Sequence, residues 1–446
     1  MKAIPLTACS KILLLVSCSL TEVPVSSAPP AWINAPANGT ALQAEWWKAY
    51  GDPELDNLIE RGWAANPEIE AALQRVEAAK ADRFESMAAL FPKAGVAIGF
   101  REGREQNRMT GYRPDDMEPW TATGDLSWEI DLFGKRRAGI KSAQAAEASA
   151  HANWRGVRLM IATEIAMARF EELLLGEEIA LQTEQVASEQ KAARLNEELF
   201  RQGLISSSER ADAVSTVEQA RRSLSELDRQ RGLVRLRLTR LCGGDTGRPS
   251  LSRVVPRIPA SPSKSPASVW GSRPDLIAAE ADVRSAFAAA DAARLDLLPT
   301  LALGAGGNLG TNSLKEQLRT WELSAGPRLE IPIWDPARIA ATKRGNAKAS
   351  EAAANYRATA LRAVEEIEGA FLNLTRRKSQ LTSMQSEVES TRTSWLHSLA
   401  KSREGQGSFA QENQAARLYR DNARNAMRLR LQAINDHISL IRALGG

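Results

Sequence analysis

The sequence predicts a mainly α-helical chain that carries membrane β-strands and is built from an internal two-fold repeat. Three observations predict it. A set of landmarks recurs in the same order about two hundred positions later: Asn66-Pro67 and Arg273-Pro274, Phe91-Pro92 and Leu298-Pro299, Leu132-Phe133-Gly134 and Ile333-Trp334-Asp335, Gly203-Leu204-Ile205-Ser206 and Gly405-Gln406-Gly407-Ser408. Internal duplication is the economical explanation. Each copy also holds two segments in which apolar and polar residues alternate, and one very long stretch without an interior proline.

The elements follow in order. Ile12 to Val16 form a short apolar run behind Lys2 and Lys11, and Leu15-Val16-Ser17-Cys18 reads as a lipoprotein processing site. Residues 1–17 are then a signal peptide, and Cys18 carries a covalent diacylglycerol and an N-acyl chain. The alternatives are a signal without lipid, or a start codon assigned elsewhere. Residues 18–45, rich in Pro, Ser and Ala, are expected to form a lipid-anchored extended tether.

The first repeat is expected over 46–242. Leu55, Leu58 and Ile59, then Ile69, Leu73 and Val76, sit at helical spacing up to Pro92. Strands are expected at about 94–106 and 119–132. In the first, Val96, Ile98 and Phe100 point one way while Gly95, Ala97 and Gly99 point the other. In the second, Trp120, Ala122, Gly124, Leu126, Trp128 and Ile130 alternate with Thr121, Thr123, Asp125, Ser127, Glu129 and Asp131. A long helical hairpin is expected over 135–242. At about 1.5 Å per residue its first arm reaches roughly 100 Å, a length no compact domain needs. Leu224, Leu227, Val234, Leu238 and Leu241 give the second arm a near-heptad stripe for antiparallel pairing.

A Pro/Gly/Ser linker is expected over 243–271, draped along the helices. The second repeat, 272–446, repeats the plan with strands at about 300–310 and 318–333 and a hairpin at 336–444. Trp321, Leu323, Ala325, Pro327, Leu329, Ile331 and Ile333 again alternate with polar or small residues.

The strands decide between water and lipid. A soluble sandwich with one buried face would suit an isolated strand, but Trp120, Trp128 and Trp321 stand on the apolar faces as aromatic girdles do in membrane barrels. Four strands in lipid leave two edges whose backbone groups find no water, so closure is obligatory and must run across subunits. Two chains give eight strands around a filled interior, and three give twelve around a conducting one. Gly95, Ala97, Gly99, Gly304 and Gly306 suit an open lumen.

Composition excludes much else. Lys and Arg number 58 against 54 Asp and Glu, a net charge of +4, and no basic block is interleaved with aromatics, so nucleic acid is not a partner. Aromatic content is 5% and there are three His, which argues against a His-based active site. His151, His397 and His437 lie far apart and read as surface helix residues, with no Cys at metal-ligand spacing. Cys242 reads as a small apolar residue ending a helix. Gly304-Ala305-Gly306-Gly307 lacks the Lys-Ser/Thr pair of a phosphate loop. The many carboxylates read as solvated ion pairs along helix faces. No enzyme, resident metal or cofactor is expected.

At this point the chain resembles the outer membrane factor family, the TolC- and OprM-like channels, and in particular the NodT-type efflux lipoproteins. The resemblance rests on Trp46-Trp47 with Asp52-Pro53-Glu54-Leu55 leading to Leu58-Ile59, on Asn66-Pro67 and Arg75-Val76, on Phe91-Pro92, on Trp128-Glu129-Ile130-Asp131-Leu132-Phe133-Gly134, and on Ser272-Arg273-Pro274-Asp275 and Leu298-Pro299. It implies a homotrimer with a 12-stranded outer-membrane β-barrel continued by a 12-helix periplasmic α-barrel. It implies a passive exit duct for drugs, metals or other small molecules, driven by an inner-membrane pump of RND type through a periplasmic adaptor. The rival readings are a type I secretion duct for polypeptides, a family member that no longer gates or docks, and, in a different class, a coiled-coil periplasmic scaffold.

The resemblance also implies a periplasmic gate after the second Gly-containing turn, where the family pattern is close to Leu-Asp-Ala-Gln-Arg. Here Asn413-Gln414-Ala415-Ala416-Arg417 stands, so Gln411, Gln414 and Arg417 are the gate candidates and the acidic position is occupied by an amide. Weaker cation block is expected unless Glu412 substitutes; the plainer reading makes Gln414 a solvated helix residue. The turns with Gly203 and Ser206, and with Gly405 and Ser408, are the expected adaptor contacts by the same resemblance, although an ordinary hairpin turn needs the same residues.

Overall fold

Asn66 and Arg273 each precede a proline, and each adopts an extended conformation (φ −75°, ψ 122° and φ −72°, ψ 118°) between two helices. A following proline disfavours helical geometry at the residue before it, so both positions end one helix and start the next. The computed structural model describes residues 28–35, 40–100, 120–244, 257–311 and 320–446. Cys18 and the signal peptide lie outside them.

A 3-10 turn, Trp46–Tyr50, leads to α1 (Pro53–Ala65), α2 (Pro67–Ala88), β1 (Lys93–Phe100), β2 (Trp120–Ile130), α3 (Lys135–Arg201) and α4 (Ser207–Leu241). The second repeat answers with α5 (Pro266–Ser272), α6 (Pro274–Leu295), β3 (Thr300–Thr311), β4 (Thr320–Glu330), α7 (Pro336–Arg403) and α8 (Phe409–Ala443). The copies agree closely: α2 and α6 both have 22 residues, α3 and α7 have 67 and 68, and α4 and α8 both have 35.

Several expected bounds shift for local reasons. β4 ends at Glu330 rather than 333, because Pro332 has no N–H to give a ladder. β2 ends at Ile130, because Asp131 turns to accept the Arg136 and Arg137 backbone N–H groups at the start of α3. Expected strand residues 101–106 lie outside the described residues. The linker is not wholly irregular, since α5 starts at Pro266 with Ser265 as its N-cap.

The chain divides into two units. In the unit formed by residues 77–149 and 279–357, four antiparallel strands pair in the order β1-β2-β3-β4. Below the sheet Asp296, just past α6, takes Lys135 of α3 at 2.7 Å, while its carbonyl accepts from Arg338 of α7 at 2.9 Å. Ser142 and Ser285 exchange hydrogen bonds of 3.0 and 2.9 Å between α3 and α6.

The other unit, residues 27–76, 150–278 and 358–446, is helical. Its main core is built on α3, where Ile161, Ile165, Phe170 and Leu173 meet Leu55, Leu58 and Ile59 of α1, Leu227, Val234, Leu238 and Leu241 of α4, and Ile434, Ile438 and Ile441 of α8. The heptad stripe expected on α4 is thus a core stripe, with Leu224 half-buried beside it. A second cluster gathers Val269, Ile367, Phe371, Leu374, Leu440 and Leu444 at the base of the second hairpin.

Candidate functional site

Register fixes the faces of the sheet. Val96 pairs with Gly124, Ile98 with Ala122 and Phe100 with Trp120; Trp128 pairs with Leu303, Leu309 with Trp321, and Gly307 with Leu323. Directly paired residues stand on the same side, so one face of all four strands is apolar. It is also bare: Val96 is 80% exposed, Trp321 75% and Leu323 76%. A face of this extent left open marks a lipid or protein contact. Opposite it stand Gly95, Ala97, Gly99, Thr123, Asp125, Ser127, Gly304, Gly306, Asn308, Glu322, Ser324 and Arg328, the small and polar residues expected on one side. Trp128 hangs its indole N–H on the Leu90 carbonyl at 2.8 Å.

In the helical unit, α3 and α8 run antiparallel along a seam that changes character. Past Leu175 the buried residues of α3 become Glu178, Gln182, Gln185 and Glu189, spaced as core positions of a coiled coil, with Val186 the one buried apolar residue among them. Against them α8 sets Arg428, Arg424, Arg420 and Arg417 in that order. Arg420 donates to Gln185 at 2.9 Å, and Arg417 donates Nε–H to Glu189 at 2.5 Å while its other nitrogen takes the second oxygen. Asn413 adds a bond to Glu189 at 3.3 Å and accepts one from Ser188 at 2.7 Å. Gln182 also donates to the Ala220 carbonyl of α4 at 2.9 Å, joining three helices.

A second buried network lies nearer α1. Arg169, fully buried, donates to Asp52 at 2.9 Å and to Glu172 at 3.2 Å, and Glu172 also accepts from Arg231 and Arg235 of α4, each at 2.9 Å. Asp52 caps α1 through the Glu54 N–H as well. The carboxylates Glu172, Glu178 and Glu189 are therefore not solvated pairs on a helix face but buried acceptors bridged between helices, which corrects the expectation. Their spacing on α3 was the available signal.

The turn residues have local work of their own. Gly203 (φ 71°) and Gly405 (φ 73°) take left-handed geometry that a Cβ opposes. Ser206 caps α4 in a reciprocal box with Glu209, and Ser408 caps α8 in one with Gln411. Gln411 is thus fixed by the cap, Gln414 is exposed on α8, Glu412 is half-buried, and of the three gate candidates Arg417 is the one brought onto another helix. Phe409 lies beneath Lys191 at 4.9 Å.

The sequence pattern of outer membrane efflux proteins matches residues 58–244 and 267–446, one block for each repeat. The chain belongs to the outer membrane efflux protein family. This efflux protein is 27% identical over 456 residues to the pyoverdine export outer membrane protein OpmQ of Pseudomonas aeruginosa, covering 98% of this chain and 95% of that one. It is 23% identical over 367 residues to Nodulation protein T of Rhizobium leguminosarum bv. trifolii, covering 79% and 77%. Its fold matches the outer-membrane channel OprN with a TM-score of 0.83 at 23% identity, over 95% of this chain and 98% of that one. The TolC-like fold, mostly helical with four antiparallel strands, is therefore the fold of this efflux protein, and its place is the outer membrane.

One histidine departs from expectation. His397 is exposed, but His437 is 2% exposed, against the surface position expected for it, and its Nδ1 lies 2.6 Å from the Tyr50 hydroxyl. Its Nε2 faces the Ala260 carbonyl at 3.3 Å, so the neutral ring donates there and accepts from Tyr50. Burial lowers the His437 pKa to about 4 and raises that of Tyr50. Cys242 is the helix-ending apolar residue expected, its thiol pushed up by burial. Among the described residues no group of His, Cys, Asp and Glu is arranged to hold a metal.

Proposed function

We propose that this outer membrane efflux protein is the passive exit duct of a tripartite system, assembled as a homotrimer and driven by an inner-membrane pump of RND type through a periplasmic adaptor. The observation that carries the reading is the sheet, with one apolar face across all four strands and with β1 and β4 as its outer strands. In lipid those outer strands must pair, and pairing β4 of one copy with β1 of the next closes the ring. Three copies give twelve strands around a lumen lined by the Gly-rich polar face. The relative named for pyoverdine export favours small-molecule cargo over polypeptide. Acylation at Cys18 anchors the chain in this reading, and the turns at Gly203, Ser206, Gly405 and Ser408 meet the adaptor.

The test is native mass spectrometry of the protein extracted from outer membranes. Three chains, each starting at Cys18 with added acyl mass, support the reading. A lipid-free monomer or dimer overturns it.

The gate belongs to the polar stretch of the α3–α8 seam. Each Ile or Leu buried in the apolar stretch contributes about 1.5–3 kcal/mol and has no partner in water. Arg417 and Arg428 are 41% and 61% exposed, so water can replace them at the arginine side of their pairs with the buried Glu189 and Glu178. α8 therefore parts from α3 at Glu178 to Glu189 first, while Ile434, Ile438 and Ile441 hold the other end. Arg417→Ala is expected to raise open-channel conductance in planar bilayers, and Gln414→Asp to strengthen block by divalent cations. Unchanged conductance in Arg417→Ala would sink this gate.

A further inference from the structure

The repeats differ in the helix ahead of the proline. α1 has 13 residues and buries Leu55, Leu58 and Ile59 in the first core, whereas its counterpart α5 has 7 and buries Pro266 and Val269. The second repeat thus lacks nearly two helical turns of cover at the base of its hairpin.

The missing cover comes from the N-terminus. Trp32 and Ala35 pack on the cluster of Val269, Ile367, Phe371 and Leu444, with the Trp32 ring 6.3 Å from that of Trp270. The Trp32 indole N–H donates to the Lys264 carbonyl at 2.7 Å. The backbone N–H groups of Ile33 and Asn34 converge on the two oxygens of Glu368 on α7, at 2.6 and 2.9 Å, and the Asn34 amide adds a bond of 2.9 Å. Thr40 then pairs with the linker, its N–H donating to Ser261 at 3.1 Å and its carbonyl accepting from Ser263 at 2.9 Å. Leu42 packs against both apolar clusters, so the same segment touches the cores of both repeats. Lys264 extends the contact by donating to the Leu444 carbonyl just past α8, at 3.2 Å.

We propose that the N-terminal segment, through Trp32 to Ala35 and Thr40 to Leu42, is an intramolecular complementing peptide that completes the core of the second repeat where α5 is short. The residues expected to be a tether are in this view a structural part of the second hairpin's base. Glu368 is the seat that fixes their register, because each of its two oxygens receives one of two successive backbone N–H groups, those of Ile33 and Asn34. The proposal stands on the helical unit alone and does not depend on the channel reading.

Hydrogen exchange of the full-length protein in detergent tests it. Glu368→Gln keeps one acceptor oxygen where the two N–H groups use two and removes the charge, so it should speed exchange at Ile33 and Asn34 by about tenfold or more. Trp32→Ala should do the same. In both variants peptides from 358–374 and 436–444 should exchange faster as well, while peptides from 161–175 in the first core keep wild-type protection and Glu365→Gln changes nothing. If Glu368→Gln frees Ile33 and Asn34 but 436–444 stay fully protected, the segment is a passenger and the proposal fails. Unprotected Ile33 and Asn34 in the wild-type protein would overturn it directly.

Discussion

Asn66 donates its side-chain amide to the carbonyl of Leu241, the last residue of α4, across 2.8 Å. The second repeat makes the same latch with a different side chain: Arg273 donates to the carbonyl of Ala443, the last residue of α8, at 3.0 Å. In both, the residue ahead of the proline satisfies a helix-terminal carbonyl that has no partner within its helix. Asn66→Ala leaves the buried Leu241 carbonyl unpaired and should cost about 1–3 kcal/mol. Arg273→Ala should cost more, since Arg273 also holds Asp275 at 2.7 Å and Glu366. Thermal midpoints followed by far-ultraviolet circular dichroism check both. A milder loss in Arg273→Ala than in Asn66→Ala would contradict this ranking.

Gly243 closes the same corner. It sits at φ 77°, and a Cβ added there would lie 2.3 Å from the Ala65 carbonyl oxygen. Backbone, not a flexible side-chain tip, blocks the space, so relief requires α1 and the end of α4 to separate. Left-handed geometry costs an L-residue about 1–2 kcal/mol and overpacking a further 1–3 kcal/mol. Gly243→Ala is expected to lower stability by about 2–5 kcal/mol, whereas Gly203→Ala, with open space around its Cβ position, should incur the first part alone. Comparing the two denaturation midpoints separates strain from crowding.

The alternating strands and the repeat were legible in the sequence because each carries its own periodicity. Trp120 to Ile130 alternates without a break, and Asn66-Pro67 recurs as Arg273-Pro274. The polar seam was not: Glu178 and Glu189 have no basic residue three or four positions away on α3, and nothing local shows that arginines more than two hundred residues along the chain stand beside them. Glu189 has its ion partner in Arg417 of α8, and Glu178 in Arg428. Burial of His437 was hidden for the same reason: its partners Tyr50 and Ala260 come from the N-terminal turn and the linker. The docking of Trp32 and Leu42 was concealed by a composition of Pro, Ala and Ser that reads as tether.

His437 should make the helical unit acid-sensitive. Its pKa falls from 6.5 to about 4, chiefly because burial opposes the imidazolium, with Lys378 opposing it further. A base whose folded pKa lies below its unfolded value contributes stability above pH 6.5 and loses it as the pH falls toward 4 and the unfolded chain takes the proton. At about 1.4 kcal/mol per pH unit the full loss is on the order of 3 kcal/mol. Protonation also forces Nδ1 to carry a hydrogen against the Tyr50 hydroxyl, which then must turn its own proton away. His437→Gln keeps an acceptor for Tyr50 and removes the titration, so its thermal midpoint should fall less than that of wild type between pH 7 and pH 4.5. Parallel curves for the two proteins would assign the acid sensitivity elsewhere.

The two faces of the sheet make opposite demands, and paired substitutions on β4 separate them. Leu323 stands on the apolar face opposite Gly307, and its neighbour Ser324 on the polar face opposite Gly306. An arginine on the lipid side of a membrane strand costs about 2–4 kcal/mol near the bilayer centre. Leu323→Arg should therefore reduce the amount of protein recovered in outer membranes, while Ser324→Arg should insert normally and narrow the lumen, lowering single-channel conductance. Adjacent residues of similar exposure and the same strand share every local effect of substitution, so a difference between them reports the face alone. Equal recovery of both variants from the membrane would mean that Leu323 does not meet lipid, and the barrel would have to close with the opposite side of the sheet outward.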